Sequence, residues 1–162
     1  MKRVVIETIM SVIFYTLLAW MLSSAVQLFR KFAEFEETNW SQGGEISFTF
    51  NAVPLIIFTL FSVFYAIYSF KTRSTNKRTV EWMFTSMTEY SEGDERESII
   101  TSKATRAGYY TYGVTIPIVM TILVFSPFIS DEFPIYLFYM LAAILNISTI
   151  VYGIVWVKEY RK

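Results

Sequence analysis

The sequence of 162 residues contains no histidine and no cysteine. It therefore lacks an imidazole base, a thiol nucleophile, disulfides and the usual ligands of zinc, haem and iron–sulfur clusters. Charged residues make up only 17% of the chain, and its 14 basic side chains are balanced by 14 acidic ones. This leaves no excess of positive charge for nucleic-acid binding. We predict no cofactor, no metal and no nucleic-acid partner.

Apolar residues are abundant instead, since 54% of the chain is hydrophobic and 19% is aromatic. Four windows without any charged residue cover 8–29, 46–70, 107–130 and 133–157. Each exceeds the roughly 20 residues that an α-helix needs to cross about 30 Å of hydrocarbon. We therefore predict an all-α fold, an integral membrane four-helix bundle formed by a single domain. The expected spans are 4–29, 50–70, 107–129 and 134–157.

The basic residues predict the orientation, because Lys and Arg close to membrane spans are retained on the cytoplasmic side. Twelve of the 14 lie at the N-terminus, at the C-terminus or in the loop 71–106, and the connection 30–49 contains only Arg30 and Lys31. We expect both termini and the loop 71–106 in the cytoplasm, and the connection 30–49 outside. The protein would then be a multi-pass protein of the inner or plasma membrane, with the lipid bilayer as its first partner.

The loop contains one apolar stripe, formed by Val80, Met83, Phe84 and Met87 at the spacing of one helical face. A short amphipathic helix that lies on the membrane or on other loops is one interpretation. The other is a docking face for a partner protein, since Met and aromatic side chains make adaptable contact surfaces.

The end of the loop has the features of a helix N-terminus. Acidic residues, among them Asp94 and Glu95, precede an uninterrupted helical pattern from about Glu92 to Ser126. Arg96 and Lys103 follow, and two roles for them stay open. They form exposed ion pairs with neighbouring carboxylates, each worth about 0–1 kcal/mol, or Arg96 and its acidic neighbours form a recognition element.

The same segment carries a resemblance. Asp94-Glu95-Arg96, then Ile100 and Lys103-Ala104, lead directly into an apolar helix. This pattern resembles the signature of small uncharacterised prokaryotic membrane proteins, grouped as a domain of unknown function, in which paired spans flank a cytosolic Asp-Glu-Arg. It covers about residues 79–157. The resemblance implies a bacterial or archaeal inner membrane and a non-enzymatic role, and it indicates no substrate.

Two polar residues inside the expected spans are candidates for a function within the membrane. Glu7 lies about one turn into the first span, where its carboxylate can reach the cytoplasmic surface or pair with Arg3 four residues earlier. A first-span Glu also occurs in four-helix exporters of the small multidrug-resistance type. Asn146 lies near the centre of the fourth span, where an amide is expected to bridge helices.

These patterns favour a non-catalytic membrane protein that acts through a partner, in an accessory, regulatory or self-protection (immunity) role. The expected partner is a membrane protein, a cytosolic protein or a second copy of the chain. The candidate partner-binding residues are Met83, Phe84, Met87, Asp94, Glu95, Arg96 and Lys103. The alternative is a small oligomeric transporter or channel of the four-span exporter type, which would use Glu7 and Asn146.

Overall fold

The computed structural model describes residues 2–39, 51–72, 95–124 and 133–162. Within these ranges the chain forms four α-helices and no strand. The helices are α1 (Lys2–Asn39), α2 (Val53–Thr72), α3 (Glu95–Val124) and α4 (Phe133–Tyr160). The all-α prediction is confirmed for this part of the chain. Helix α1 continues past Phe29, the expected end of the first span.

Local chemistry explains where α2 and α3 begin. The Asn51 carboxamide oxygen accepts a hydrogen bond from the backbone N–H of Val53 at 3.2 Å, and Pro54 occupies the first turn, where a missing N–H costs no helical bond. Glu95 and Glu97 lie in the first turn of α3, where negative charge complements the helix dipole. Helix α3 continues through Pro117.

Helix α4 packs against both α1 and α3. On the α1 side, Asn146 contacts Thr16 and Tyr139 contacts Ser23. Since the residue number rises along one helix as it falls along the other, α1 and α4 are antiparallel. Helices α3 and α4 are antiparallel by the same criterion, because Thr101 meets Trp156 and Gly108 meets Ser148.

Helix α2 packs against α1. The Ser11 and Tyr65 hydroxyls are 2.8 Å apart, and the Phe14 ring lies 5.3 Å from the Phe58 ring and 5.9 Å from the Tyr65 ring, measured between centroids. The four helices therefore follow the order α2, α1, α4, α3 across the molecule.

The described helices bury both apolar and polar side chains and expose many large apolar ones. The buried residues include Glu7, Ser23, Ser69 and Ser148, together with small residues such as Ala19 and Ala104. Large apolar side chains are exposed on all four helices. Examples are Ile9, Leu60, Ile67, Met120 and Ile154, each more than half exposed.

Two stretches of helix are long and apolar enough to cross a membrane, judged by length and composition. They are Lys2–Phe29 in α1 and Ile135–Tyr160 in α4, and the apolar part of α2, Val53–Ser69, is shorter. Only the described residues enter this comparison. The prediction of four spans is therefore matched here by two helices that meet both criteria.

Candidate functional site

The structure places the predicted site residues in separate parts of the chain. Four of them lie outside the described residues: Met83, Phe84, Met87 and Asp94. The others are in three helices: Glu95, Arg96 and Lys103 in the first turns of α3, Glu7 in α1 and Asn146 in α4. Arg96 and Lys103 belong to one cluster, and Glu95 lies in the first turn of α3. Glu7 and Asn146 belong to a separate set of polar contacts along α1.

The first turns of α3 meet the last turns of α4 in a group of charged and aromatic side chains, which we call the terminal cluster. It consists of Arg96, Lys103, Trp156, Glu159 and Tyr160. Arg96 donates a hydrogen bond from Nη2 to the Tyr160 carbonyl oxygen at 3.4 Å, and its guanidinium carbon lies 5.8 Å from the centre of the Tyr160 ring. The Trp156 ring stacks on the Tyr160 ring, with the ring centroids 5.0 Å apart and an angle of 14° between the ring planes. Arg96 therefore joins α3 to the C-terminal turn of α4.

Glu159 is the anionic centre of the terminal cluster. Lys103 Nζ lies 3.0 Å from Glu159 Oε2, and Lys162 Nζ lies 2.6 Å from Glu159 Oε1. The hydrogen bond from Lys162, with that from Lys103, lowers the pKa of Glu159 to about 2. The carboxylate is thus ionised at neutral pH and holds one cation from α3 and one from its own chain end.

A small apolar core supports the terminal cluster from below. It contains Val4, Ile100, Ala104 and Trp156, from α1, α3 and α4. The Trp156 Nε1–H also donates to Thr101 Oγ1 at 3.3 Å, so the indole is held by packing and by a hydrogen bond. This core fixes the beginnings of α1 and α3 beside the end of α4.

Polar side chains spaced along α1 form a second set of contacts, which we call the polar row. The row consists of Glu7, Ser11, Thr16 and Ser23. Ser11 contacts Tyr65 of α2, whereas Thr16 and Ser23 contact α4. The Ser23 hydroxyl donates to the Trp20 carbonyl oxygen at 2.9 Å, which assigns the Tyr139 hydroxyl as the donor in the 3.2 Å contact with Ser23.

Glu7 lies at the start of the polar row and is only 4% exposed. Arg3 Nε donates to Glu7 Oε1 at 2.9 Å, and the Arg3 side chain is 33% exposed. The pair has the i, i+4 spacing expected from the sequence. The Glu7 carboxylate is therefore buried, and it is paired with the more exposed Arg3 guanidinium.

Asn146 bridges α4 and α1, as the sequence analysis predicts. Its Nδ2 donates to Thr16 Oγ1 at 3.1 Å, and the Thr16 hydroxyl donates to the Val12 carbonyl oxygen at 2.8 Å. The Asn146 Oδ1 atom is buried without a hydrogen-bond partner among the described residues. One half of the amide therefore stabilises the helix pair and the other half is unsatisfied.

Sequence reasoning missed the cross-helix partners in the terminal cluster. The sequence leaves two roles open for Lys103 and Arg96, exposed pairing with neighbouring carboxylates or a recognition element around Arg96. The structure adds Glu159 and Tyr160 of α4 as their partners. The sequence did not predict that Trp156 and Tyr160 of α4 contact the start of α3. Within the described ranges, no group of three acidic residues is placed to hold a metal ion.

Comparison with known proteins identifies one similar bacterial chain. The protein is 28% identical over 142 residues to the uncharacterized lipoprotein YgaO of Bacillus subtilis (strain 168), and the match covers 86% of this chain and 85% of that protein. No protein-family model matches the sequence, and no solved structure matches it. The similarity is to a small uncharacterised bacterial protein, and the Asp94-Glu95-Arg96 pattern keeps the status of a prediction.

Proposed function

We propose that the protein is a four-span membrane protein whose outer surface faces lipid. The observation that carries this proposal is the large number of exposed Ile, Leu, Val, Met and Phe side chains on the described helices, together with buried Glu7 and three buried serines. Helices in lipid pack through small residues and hydrogen-bonding side chains, because the surrounding acyl chains accept large apolar groups without cost. The Thr8–Gly153 and Ser148–Gly108 contacts are of this type.

The relative supports a location at the membrane, because its name describes a lipoprotein. The present sequence has no cysteine, the residue that carries prenyl and palmitoyl groups. Under this proposal the chain is held in the membrane by its own helices. Washing membranes at alkaline pH tests this: the protein should stay in the membrane pellet, and its release into the soluble fraction would contradict the proposal.

We further propose that the protein acts through a protein partner in an accessory, regulatory or self-protection role, with the loop 71–106 as its contact region. The terminal cluster supports this role, because Arg96 and Lys103 anchor the end of the loop to α4. An anchored end reduces the conformational freedom that a docking segment loses on binding. The candidate contact residues in the loop are Met83, Phe84, Met87, Asp94, Glu95, Arg96 and Lys103.

Two substitutions separate a recognition role of Arg96 from its role as an anchor. Arg96→Ala removes the guanidinium, whereas Tyr160→Ala removes the ring beneath it and leaves the guanidinium in place. If Arg96 contacts the partner, recovery of the partner from membranes in mild detergent falls for Arg96→Ala and is retained for Tyr160→Ala, at matched membrane levels. Equal recovery with both variants would return Arg96 to a purely intramolecular role.

The burial of Glu7 favours a second candidate function, a small oligomeric transporter or channel. Carboxylates within membrane spans are frequently coupling sites for protons or cations, and Glu7 is 4% exposed at the start of the polar row. Glu7→Gln preserves the shape of the side chain and removes its charge. If the partner function is right, this variant keeps the cellular phenotype; loss of the phenotype at normal expression would favour transport.

A further inference from the structure

We infer that four exposed cations at one end of the bundle bind the headgroups of anionic phospholipids. They are Lys2, Lys71, Lys158 and Arg161, which we call the cationic collar. The inference rests on the proposed membrane insertion and adds a lipid preference to it. It is carried by the position of these side chains, by their lack of described partners and by the aromatic residues beside them.

The described helix ends that carry these residues lie at the same end of the molecule. Val4 of α1, Ile100 of α3 and Trp156 of α4 share one core, so the start of α1 lies beside the end of α4. Tyr65 of α2 reaches Ser11 of α1 at 2.8 Å. Phe14 of α1 meets Phe58 of α2, so the residue number falls along α2 as it rises along α1 and the two helices are antiparallel. Lys71 is therefore at the level of the first turns of α1.

The other cations at this end are already engaged. Arg3 pairs with Glu7, and Lys103 and Lys162 share Glu159. Arg96 and Arg106 lie over the rings of Tyr160 and Tyr110.

The four collar residues differ from these cations. All four are exposed, and no ion pair or hydrogen bond of their side chains is found among the described residues. Within the described part of the chain their charge is not neutralised, and the inference is that anionic headgroups neutralise it.

Aromatic residues place this end of the bundle at the depth of the headgroups. Tyr160 lies between Lys158 and Arg161 at the end of α4, where it is exposed and stacks on Trp156. Tyrosine prefers the membrane interface, where the ring meets apolar chains and the hydroxyl meets water. The collar cations lie at the corresponding ends of α1, α2 and α4, beside the polar layer of the bilayer.

A layer of lipid headgroups fits the collar better than one dissolved anion. The four charges are distributed over three helix ends, and each is on a long side chain that adapts its position. Directly below them, α2 and α4 expose apolar side chains such as Ile67 and Ile154, which fit the acyl chains of the same lipids. Basic residues near a membrane surface each favour anionic lipid by about fivefold.

The test uses the full chain purified in mild detergent with an equimolar mixture of phosphatidylglycerol and phosphatidylcholine. The lipids retained by the protein are then quantified by mass spectrometry. We expect wild type to enrich phosphatidylglycerol. The variant Lys2→Gln, Lys71→Gln, Lys158→Gln, Arg161→Gln should lose at least tenfold of this enrichment, and the charge-preserving variant Lys2→Arg, Lys71→Arg, Lys158→Arg should retain it.

Salt and phosphate complete the test. Raising the salt from about 0.1 M to about 1 M shortens the screening length from about 10 Å to about 3 Å and should reduce the enrichment. Millimolar inorganic phosphate should leave it unchanged, and displacement of the lipid by phosphate would overturn the lipid assignment in favour of a phosphate site. Equal retention of the two lipids by wild type, or undiminished enrichment in the glutamine variant, would overturn the inference even if alkaline washing left the protein in the membrane.

Discussion

At the scale of single residues, Asn146 shows how a polar group inside the bundle is only partly satisfied. Its Nδ2 has a partner in Thr16, and its Oδ1 has none among the described residues. Hydrogen bonds between helices in membranes average about 0.6 kcal/mol. A buried acceptor without a partner costs about 1–3 kcal/mol. The two contributions oppose each other within one side chain.

This opposition predicts unequal effects of removing the two partners. Asn146→Leu removes the bond and the unsatisfied oxygen together, so the free energy of unfolding should change by less than about 1 kcal/mol. Thr16→Val removes the acceptor and, under the proposed membrane insertion, leaves the Asn146 N–H groups facing apolar surroundings without that partner, so it should destabilise the protein by about 1–3 kcal/mol. Unfolding by a denaturing detergent measures both. The double variant should resemble Asn146→Leu, and a larger loss for Asn146→Leu than for Thr16→Val would contradict the assignment.

Glu159 predicts a pH dependence of the contact between α3 and α4. Folding lowers its pKa from the ordinary 4.5 to about 2, so folding favours the ionised form. Its contribution is therefore complete above about pH 4.5 and is lost as the pH falls through about 2. The melting temperatures of wild type and Glu159→Gln should differ most near neutral pH and converge on acidification. A difference that stays constant between about pH 6 and about pH 2 would exclude this ionic contribution.

At the scale of helices, Gly153 allows α4 to pack closely against α1, more closely than either of the other two described glycines allows at its own position. A Cβ atom added at Gly153 would lie 2.8 Å from both Cγ2 and Oγ1 of Thr8. Thr8 is β-branched, and its hydroxyl donates to the Val4 carbonyl oxygen at 2.8 Å, so its rotation is restricted. The two helices can keep their present distance only if position 153 has no side chain.

Gly153→Ala should therefore separate α1 from α4 and destabilise the bundle by about 1–3 kcal/mol, the usual cost of overpacking. Gly113→Ala is the matched control, because nothing lies within 4 Å of a Cβ atom there. That control should be neutral or gain up to about 1 kcal/mol from helix propensity. Unfolding in detergent compares them, and Thr8→Ala should restore stability to Gly153→Ala. An equal response at both glycines would contradict the close crossing.

Interactions between neighbours in the chain could be predicted from the sequence, whereas contacts between residues far apart in the chain could not. Each charge-free window overlaps one described helix, and the four-residue spacing offered the Arg3–Glu7 pair as one of two alternatives for Glu7, because both features depend on neighbours in the chain. The contacts of Lys103 with Glu159 and of Thr16 with Asn146 join residues far apart in sequence. These contacts depend on the rotation of α4 about its own axis between α1 and α3. Because α4 is almost uniformly apolar, its sequence does not indicate which face packs against which neighbour. The Asn146 bridge was predicted, but its partner was not.

At the scale of the whole molecule, the antiparallel order α2, α1, α4, α3 brings the N-terminus, the end of α2, the start of α3 and the C-terminus to one end. The apolar core of Val4, Ile100 and Trp156 holds three of these chain ends together. Among the described residues, side chains with a net positive charge are concentrated there. The charge-free windows cover the helices beyond this end, except for the charged last turns of α1 after Phe29. Under the proposed membrane insertion, this end lies in the cytoplasm by the retention of basic residues on that side.

The absence of cysteine makes single introduced thiols specific reporters of this arrangement. Gln42→Cys, in the connection 30–49, should react with a membrane-impermeant maleimide in intact cells. Ser98→Cys and Arg161→Cys should react only after the cells are opened, because both positions are exposed at the end assigned to the cytoplasm. Thr75→Cys should behave in the same way. Positions 42 and 75 lie outside the described residues, so Ser98 and Arg161 connect the experiment to the structure.

The pattern of labelling separates the orientation from the packing. If Ser98→Cys and Arg161→Cys react in intact cells and Gln42→Cys does not, the bundle is inserted in the opposite direction and its helix order is unaffected. If Ser98→Cys and Arg161→Cys lie on different sides, the contact between the start of α3 and the end of α4 is wrong, since a helix pair with Lys103 Nζ and Glu159 Oε2 at 3.0 Å cannot place them across a bilayer about 30 Å thick. We expect the thiols at positions 98 and 161 to react only after permeabilisation, because they lie on the same side of the membrane. The thiol at position 42 should react in intact cells, because it lies on the other side.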